Sequence, residues 1–253
     1  MTRMYNAIVD AEIPAEALDP QTAWQRLQVL TTRLAEAYPS ITSWFGFSRG
    51  PEMIPLNDEV RFTKMLAEHA EQDLRDYPER PNAGGVGVEL TTAASVHQWD
   101  KPGRLSIVYN PWIGRMTLTI NDPVEAFGPD EVAKFVRACV AAAAASLDAV
   151  FIGTDVTCPL PSGKGNDTYA RKHQLFPHRR WLGWMGFVPE LVPHRRIPEA
   201  AATEVVTGKG TIIVAVDDCF DLFNPEHLKR VHQVELRMAN VGLLDVTDMS
   251  LLE

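Results

Sequence analysis

Residues 208–238 read GKGTIIVAVDDCFDLFNPEHLKRVHQVELRM and hold a strand, an acidic turn and a helix in close succession. Thr211 to Val216 is a β-branched run of the kind a buried strand needs. Asn224 is a good N-cap, and Pro225 suits the first helical position, where the absent N–H is not missed. Leu228, Val231, Val234 and Met238 then recur on or near one helical face. Asp217, Asp218 and Asp221 fill the turn between strand and helix. Upstream, Glu204 to Thr207 is expected to pair with this strand across the GKG turn.

The same punctuation runs through the rest of the chain. Met4 to Glu12 alternates as a first strand, and Asp19–Pro20 opens a helix whose apolar face is Trp24, Leu27, Leu30, Leu34 and Tyr38. Ile41 to Phe47, ITSWFGF, reads as an aromatic strand in which Gly46 signals close backbone approach. Arg49 to Asp58 reads as a loop. Asp58 caps a second helix reaching about Tyr77, with Phe62, Met65, Leu66, His69 and Tyr77 on its inner side. Val86–Thr91 is a strand, and Leu105–Asn110 with Arg115–Ile120 forms a hairpin around NPWIG. Gly128–Pro129 starts a third helix through Leu147, followed by a strand at Ala149–Thr154. Thr157 to Arg180 is polar and carries no firm element; Trp181–Pro189 is an aromatic strand, Pro193–Ala202 a loop, and Val241–Glu253 leaves room for a short terminal element. The hairpins point to an α+β fold with mostly antiparallel or mixed sheets and about four main helices. One domain over 1–253 is expected, with similar sub-lobes at about 1–122 and 123–253 as the alternative.

Composition narrows the function classes. The 253 residues carry a formal net charge of −9, which argues against general nucleic-acid binding. Between Arg171 and Arg196 six basic residues face a single acid, Glu190, so the remainder is a still more acidic body able to attract a basic partner. No run approaches the ~18 apolar residues of a membrane span. The N-terminus lacks a signal-peptide pattern, and Cys139, Cys158 and Cys219 lack metal-ligand spacing, so a reducing cytoplasm with buried thiols is expected.

The motifs of chemistry are incomplete. PSGKGN at Pro161–Asn166 lacks the spacing of a phosphate loop, and GGVGVE at Gly84 does not open a helix. Asp217, Asp218 and Asp221 offer hard oxygen ligands without the remainder of a calcium loop. His173, His178 and His194 lack zinc spacing, and no GxSxG elbow is present. Trp44, Phe45 and Phe47, like Trp181, Trp184 and Phe187, read first as core; because Trp44 and Gly46 share one strand face and Phe45 and Phe47 the other, an exposed aromatic face serving as an interface anchor is the alternative.

In the order of its blocks the chain resembles the immunity protein 52 family of bacterial polymorphic-toxin systems. An N-terminal strand and helix precede W-x-G at Trp44–Gly46, WLGWMGFVP follows at Trp181–Pro189, and GTIIVAVDDCFDLFNPEHL closes the series at Gly210–Leu228. The last block is similar to the family's pattern of G-T-aliphatic-aliphatic-V followed by F-D-x-x-N-P-x-H. The likeness spans nearly the whole chain. It implies a non-enzymatic protein, without cofactor, that binds and neutralises a toxin encoded beside it, commonly a restriction-endonuclease-like DNase delivered by a type VI secretion system. It carries over no binding residues.

Physics supplies candidates. A nuclease channel is basic to hold phosphates, so acids that occupy it exclude DNA. Those acids are Glu52, Asp58, Glu59 and Glu68 around the second helix and Asp217, Asp218 and Asp221 in the turn, with Trp44 as the anchor of an aromatic-plug alternative. The competing class is a hydrolytic or metal-dependent enzyme using Asp217, Asp218 or histidines.

Overall fold

The seven residues of β1 (Asn6–Glu12) pair along their whole length with β6 (Arg115–Asn121) on one side and β7 (Phe151–Pro159) on the other, both antiparallel. The computed structural model describes residues 4–48, 50, 52–160, 162–176 and 180–244. Arg49 and Pro51 of the 49–58 loop, Pro161, His178, Arg179 and the terminal element expected past residue 244 lie outside the described residues.

Around β1 the chain adds α1 (Pro20–Ala37), β2 (Phe45–Phe47), β3 (Met53–Pro55), α2 (Glu59–Asp76), β4 (Val88–Thr91), β5 (Leu105–Asn110), α3 (Pro123–Phe127) and α4 (Pro129–Ser146). After β7 come β8 (Asn166–Thr168), α5 (Tyr169–Lys172), β9 (Met185–Val188), β10 (Ala202–Val206), β11 (Gly210–Val214) and α6 (Pro225–Asn240). The strands form one eleven-stranded sheet, ordered β10-β11-β9-β7-β1-β6-β5-β4-β2-β3 with β8 beside β7. Its ladders are antiparallel, and one isolated parallel bridge joins Thr154 to Gly183. The fold is α+β. The first half of the chain builds the sheet from β1 outward to β3, and the second half builds it from β7 to β10, so the two halves meet at the β1–β7 ladder within one continuous sheet.

Capping decides where the helices start. Asp19 accepts hydrogen bonds from the Gln21 and Thr22 N–H groups, each at 3.0 Å, Asp58 from Arg61 at 3.2 Å, and Asn224 from Glu226 at 3.0 Å. The apolar stripes decide what they cover. Ala7, Val9 and Ala11 of β1 face α4, which also packs on α1. α2 lies over the Gly46 face of β2 and buries Phe62, Met65 and Leu66, at about 2 kcal/mol for each large side chain. The opposite face is covered only in the second half. There Asp155 accepts from the Ala170 N–H of α5 at 3.3 Å, and Tyr169 of α5 bonds to α6. Over β1 and β6 that face stays open, with Asp10, Thr117 and Thr119 half-buried.

Several expectations need correction. Only 45–47 of the expected 41–47 strand pairs, because β2 is held between the short β3 and β4. β3 itself lies in the stretch read as loop. The 157–180 stretch holds the end of β7, then β8 and α5, and residues 162–165 of PSGKGN lie in the turn of the β7–β8 hairpin. Of the expected 181–189 strand only Met185–Val188 is strand. Tyr77 is 49% exposed rather than inward, since α2 ends at Asp76 and the backbone turns away.

Backbone contact at glycines, Gly183 and Gly186 among them, is a tight constraint in the second half. Gly183 has φ +66°, and a Cβ there would lie 1.9 Å from the Thr154 carbonyl oxygen. A Cβ at Gly186 would lie 2.1 Å from the Ile152 carbonyl oxygen. Gly183→Ala is expected to destabilise the protein by about 3 kcal/mol or more, read from the midpoint of urea unfolding, since it adds both a clash and an unfavourable φ.

Candidate functional site

The candidate acids fall into two places. Glu52, Asp58, Glu59 and Glu68 gather at the N-terminal half of α2, but each already has a local task. Glu52 pairs with Arg61 at 2.5 Å, and Asp58 caps α2 while lying 3.8 Å from the same guanidinium. Glu59 accepts from Gln21 at 2.8 Å, and Glu68 pairs with Lys64 at 3.8 Å. These exposed pairs are individually weak, but they offset the charge that a basic partner would read.

Asp217, Asp218 and Asp221 follow β11. Asp217 and Asp218 are exposed and line a cleft of about 450 Å³ with Glu226, His227, Lys229 and Arg230. Asp221 is structural. Its carboxylate accepts from the Phe223 N–H at 3.0 Å, and its own N–H donates to His227 Nδ1 at 3.0 Å. The two acidic groups lie toward opposite edges of the sheet, with β4, β5, β6, β1, β7 and β9 between β2 and β11. At the usual strand spacing that is roughly 30 Å, so they do not form one patch. The basic segment is largely spent internally: Lys172 pairs with Asp167, Arg180 with Glu12 and Arg196 with Glu190.

Trp44 is 5% exposed, so it is not the surface anchor of an aromatic plug. α2 covers the Gly46 position, where a Cβ would lie 2.7 Å from Met65 Cε and 2.8 Å from Phe62 Cε2. The Trp44 carbonyl accepts from the Leu56 N–H at 2.8 Å, and Trp44 lies beside Gln28, Thr31, Thr32 and Ala35 of α1 at the wall of a cleft of about 380 Å³.

The aromatic and FNPEH blocks meet in space and hold each other. Trp184 Nε1 donates to the Val216 carbonyl at 2.8 Å, and the Ala215 N–H donates to the Trp184 carbonyl at 3.0 Å. Phe220 stacks between the Trp184 and His227 rings, at centroid distances of 6.1 and 5.8 Å. Asn224 caps α6, and Pro225 begins it. Each named residue of these blocks thus has a folding role.

The buried polar centre behind them is Glu235, 1% exposed on the inner face of α6. Its Oε1 accepts from the Leu182 and Gly183 N–H groups at 2.9 and 3.1 Å, and its Oε2 accepts from the Tyr169 hydroxyl at 2.8 Å. The helix pattern contains the signal: Val231, Val234, Glu235 and Met238 are spaced i, i+3, i+4, i+7, which puts a carboxylate in an apolar stripe. Burial pushes its carboxyl above the ordinary range, against the lowering effect of its three donors. Burial likewise raises the thiols, Cys158 to about 12 and Cys219 to about 11, which leaves them unreactive near neutral pH. Among the described residues no group of three or more His, Cys, Asp or Glu side chains could hold a metal ion.

Glu235→Ala would strand two backbone N–H groups and a phenol in the interior, and is expected to cost about 4 kcal/mol in chemical denaturation. Glu235→Gln keeps an oxygen for both N–H groups and should be much milder. The pH profiles should also differ. As pH rises from 4.5 toward the higher folded-state value, the unfolded chain loses its proton first, so this group makes wild-type stability fall with rising pH. In Glu235→Gln that component of the slope should vanish.

No protein-family model and no curated protein matches the chain.

Proposed function

We propose that this chain is an immunity protein of the polymorphic-toxin type, acting in the cytoplasm by binding and neutralising a toxin encoded next to it, a restriction-endonuclease-like DNase. The observation that carries this reading is the run of sequence blocks at Trp44–Gly46, Trp181–Pro189 and Gly210–Leu228, which resembles the immunity protein 52 family in order and content. Two further features support it. The net charge of −9 suits a basic nuclease face rather than DNA itself, and no helix among the described residues is long and apolar enough to cross a membrane. The mechanism is occlusion. Carboxylates presented by a rigid sheet-and-helix body take the place of phosphates at the DNA-binding channel.

Co-expression with the toxin encoded alongside should restore growth and yield a stoichiometric complex on co-purification. Occlusion by charge further implies that affinity falls about tenfold or more between about 50 mM and about 500 mM salt, mainly through slower association. Toxicity that persists with no complex formed would remove the reading for that toxin. A complex whose affinity ignores salt would remove the charge mechanism alone.

A further inference from the structure

The C-terminal end of α2 and the β5–β6 turn form a surface unlike the rest of the acidic body. The Arg80 guanidinium carbon lies 3.6 Å from the Tyr77 ring centroid and 5.0 Å from that of Trp112. Asn82 Nδ2 donates to the Trp112 carbonyl at 3.1 Å and ties the two segments together. Gly84 and Gly85 form the floor. A Cβ at Gly84 would touch Leu74 at 3.6 Å, and one at Gly85 would lie 3.1 Å from the Trp112 Cβ. Leu74, Tyr77 and Ile113 are 46%, 49% and 49% exposed, and Trp112, between Ile113 and the Arg80 side chain, is half-buried. A cation held against two rings fixes the rotamers beforehand, so little side-chain entropy is left to lose on binding.

Both ends of α2 carry four acids against two bases, and they differ in pairing: Glu71, Asp73, Asp76 and Glu79, in the stretch that leads to the cluster, make no ion pair among the described residues. Arg80 is engaged with the rings, and Arg75 donates to Gln72 at 3.0 Å. At the N-terminal half, by contrast, Arg61 pairs with Glu52 and Asp58, and Lys64 pairs with Glu68. An apolar centre of Tyr, Trp and Arg beside acids that stand outside local ion pairs has the composition of a binding hot spot.

We propose that the Leu74–Tyr77–Arg80–Trp112–Ile113 surface is the docking site for a protein that presents an apolar centre ringed by Lys and Arg. Charge selects this occupant. Phosphates of a nucleic acid would be repelled by these acids, and a second copy of this chain would set like carboxylates against each other. The inference rests on the proposed function in one respect: the partner it assigns is the neighbouring toxin. It moves the contact from Glu52, Asp58, Glu59 and Glu68 to the opposite end of the same helix.

The test is calorimetry and stopped-flow binding of full-length protein to the toxin encoded alongside, in a catalytically inactive form. Tyr77→Ala should weaken binding about 30-fold or more, with Leu74→Ser and Ile113→Ser each weakening it about tenfold. The last two variants leave the Arg80 stack in place, so their losses cannot come from its collapse. Asp73→Lys with Glu79→Lys should slow association, and the difference from wild type should narrow as salt is raised. Glu52→Lys with Glu68→Lys should stay within about threefold. If the Leu74, Tyr77 and Ile113 variants all bind within about threefold of wild type, or the Glu52/Glu68 variant loses more than they do, the surface is wrong although the immunity reading stands. If wild type itself forms no complex, both the proposed function and the partner assigned to this surface fail.

Discussion

The paired ladders of β1 hold the molecule together. A strand bonded over all seven residues on both sides is the least free to slip, because a shift of one residue would turn Ala7, Val9 and Ala11 away from α4. The two halves of the chain meet at this seam, and α1 and α4 close over it. The first half then extends toward β3 and carries α2, while the second extends toward β10 and carries α5 and α6.

The two halves meet different physical demands. In the first, only one sheet face needs covering, so the strands alternate and the other face stays polar, with Asp10 paired to Arg115 at 2.7 Å. In the second, β7 and β9 are buried on both faces, and backbone must approach backbone closely at Gly183 and Gly186. Covering the second face with α6 brings a carboxylate into the interior, and it is tolerated because Glu235 satisfies three donors that would otherwise be orphaned. The motif residues Trp184, Phe220, Asn224, Pro225 and His227 lock the same corner. These residues, drawn from two sequence blocks, therefore form one folding unit.

α2 shows how one helix can serve both purposes. Its inner stripe of Phe62, Met65, Leu66 and Ala70 fixes it over β2 at Gly46. Its N-terminal half carries acids held mostly in local ion pairs. Its C-terminal end carries acids that are not, beside exposed Leu74 and Tyr77. Charge that is uncommitted within a molecule is available to another, whereas charge already in local pairs contributes little to association.

By itself the sequence determined the elements with strong local signals. The Asp19, Asp58 and Asn224 caps, the proline-led helix starts, the β5–β6 hairpin and the α+β class all follow from neighbours along the chain, where capping and periodicity act. It also marked the acids, but not which of them were already paired. Tertiary structure alone decided the single sheet with β1 at its middle, the short β2, β3 and β8 that pair with segments distant or adjacent in the sheet, and the burial of Trp44. It decided too that Arg80, beside Tyr77, meets Trp112 from another segment, and that the two acidic groups stand at opposite edges of the sheet. The reason is the same in each case: these properties depend on which distant segment covers a side chain, and local spacing in the chain carries no record of that.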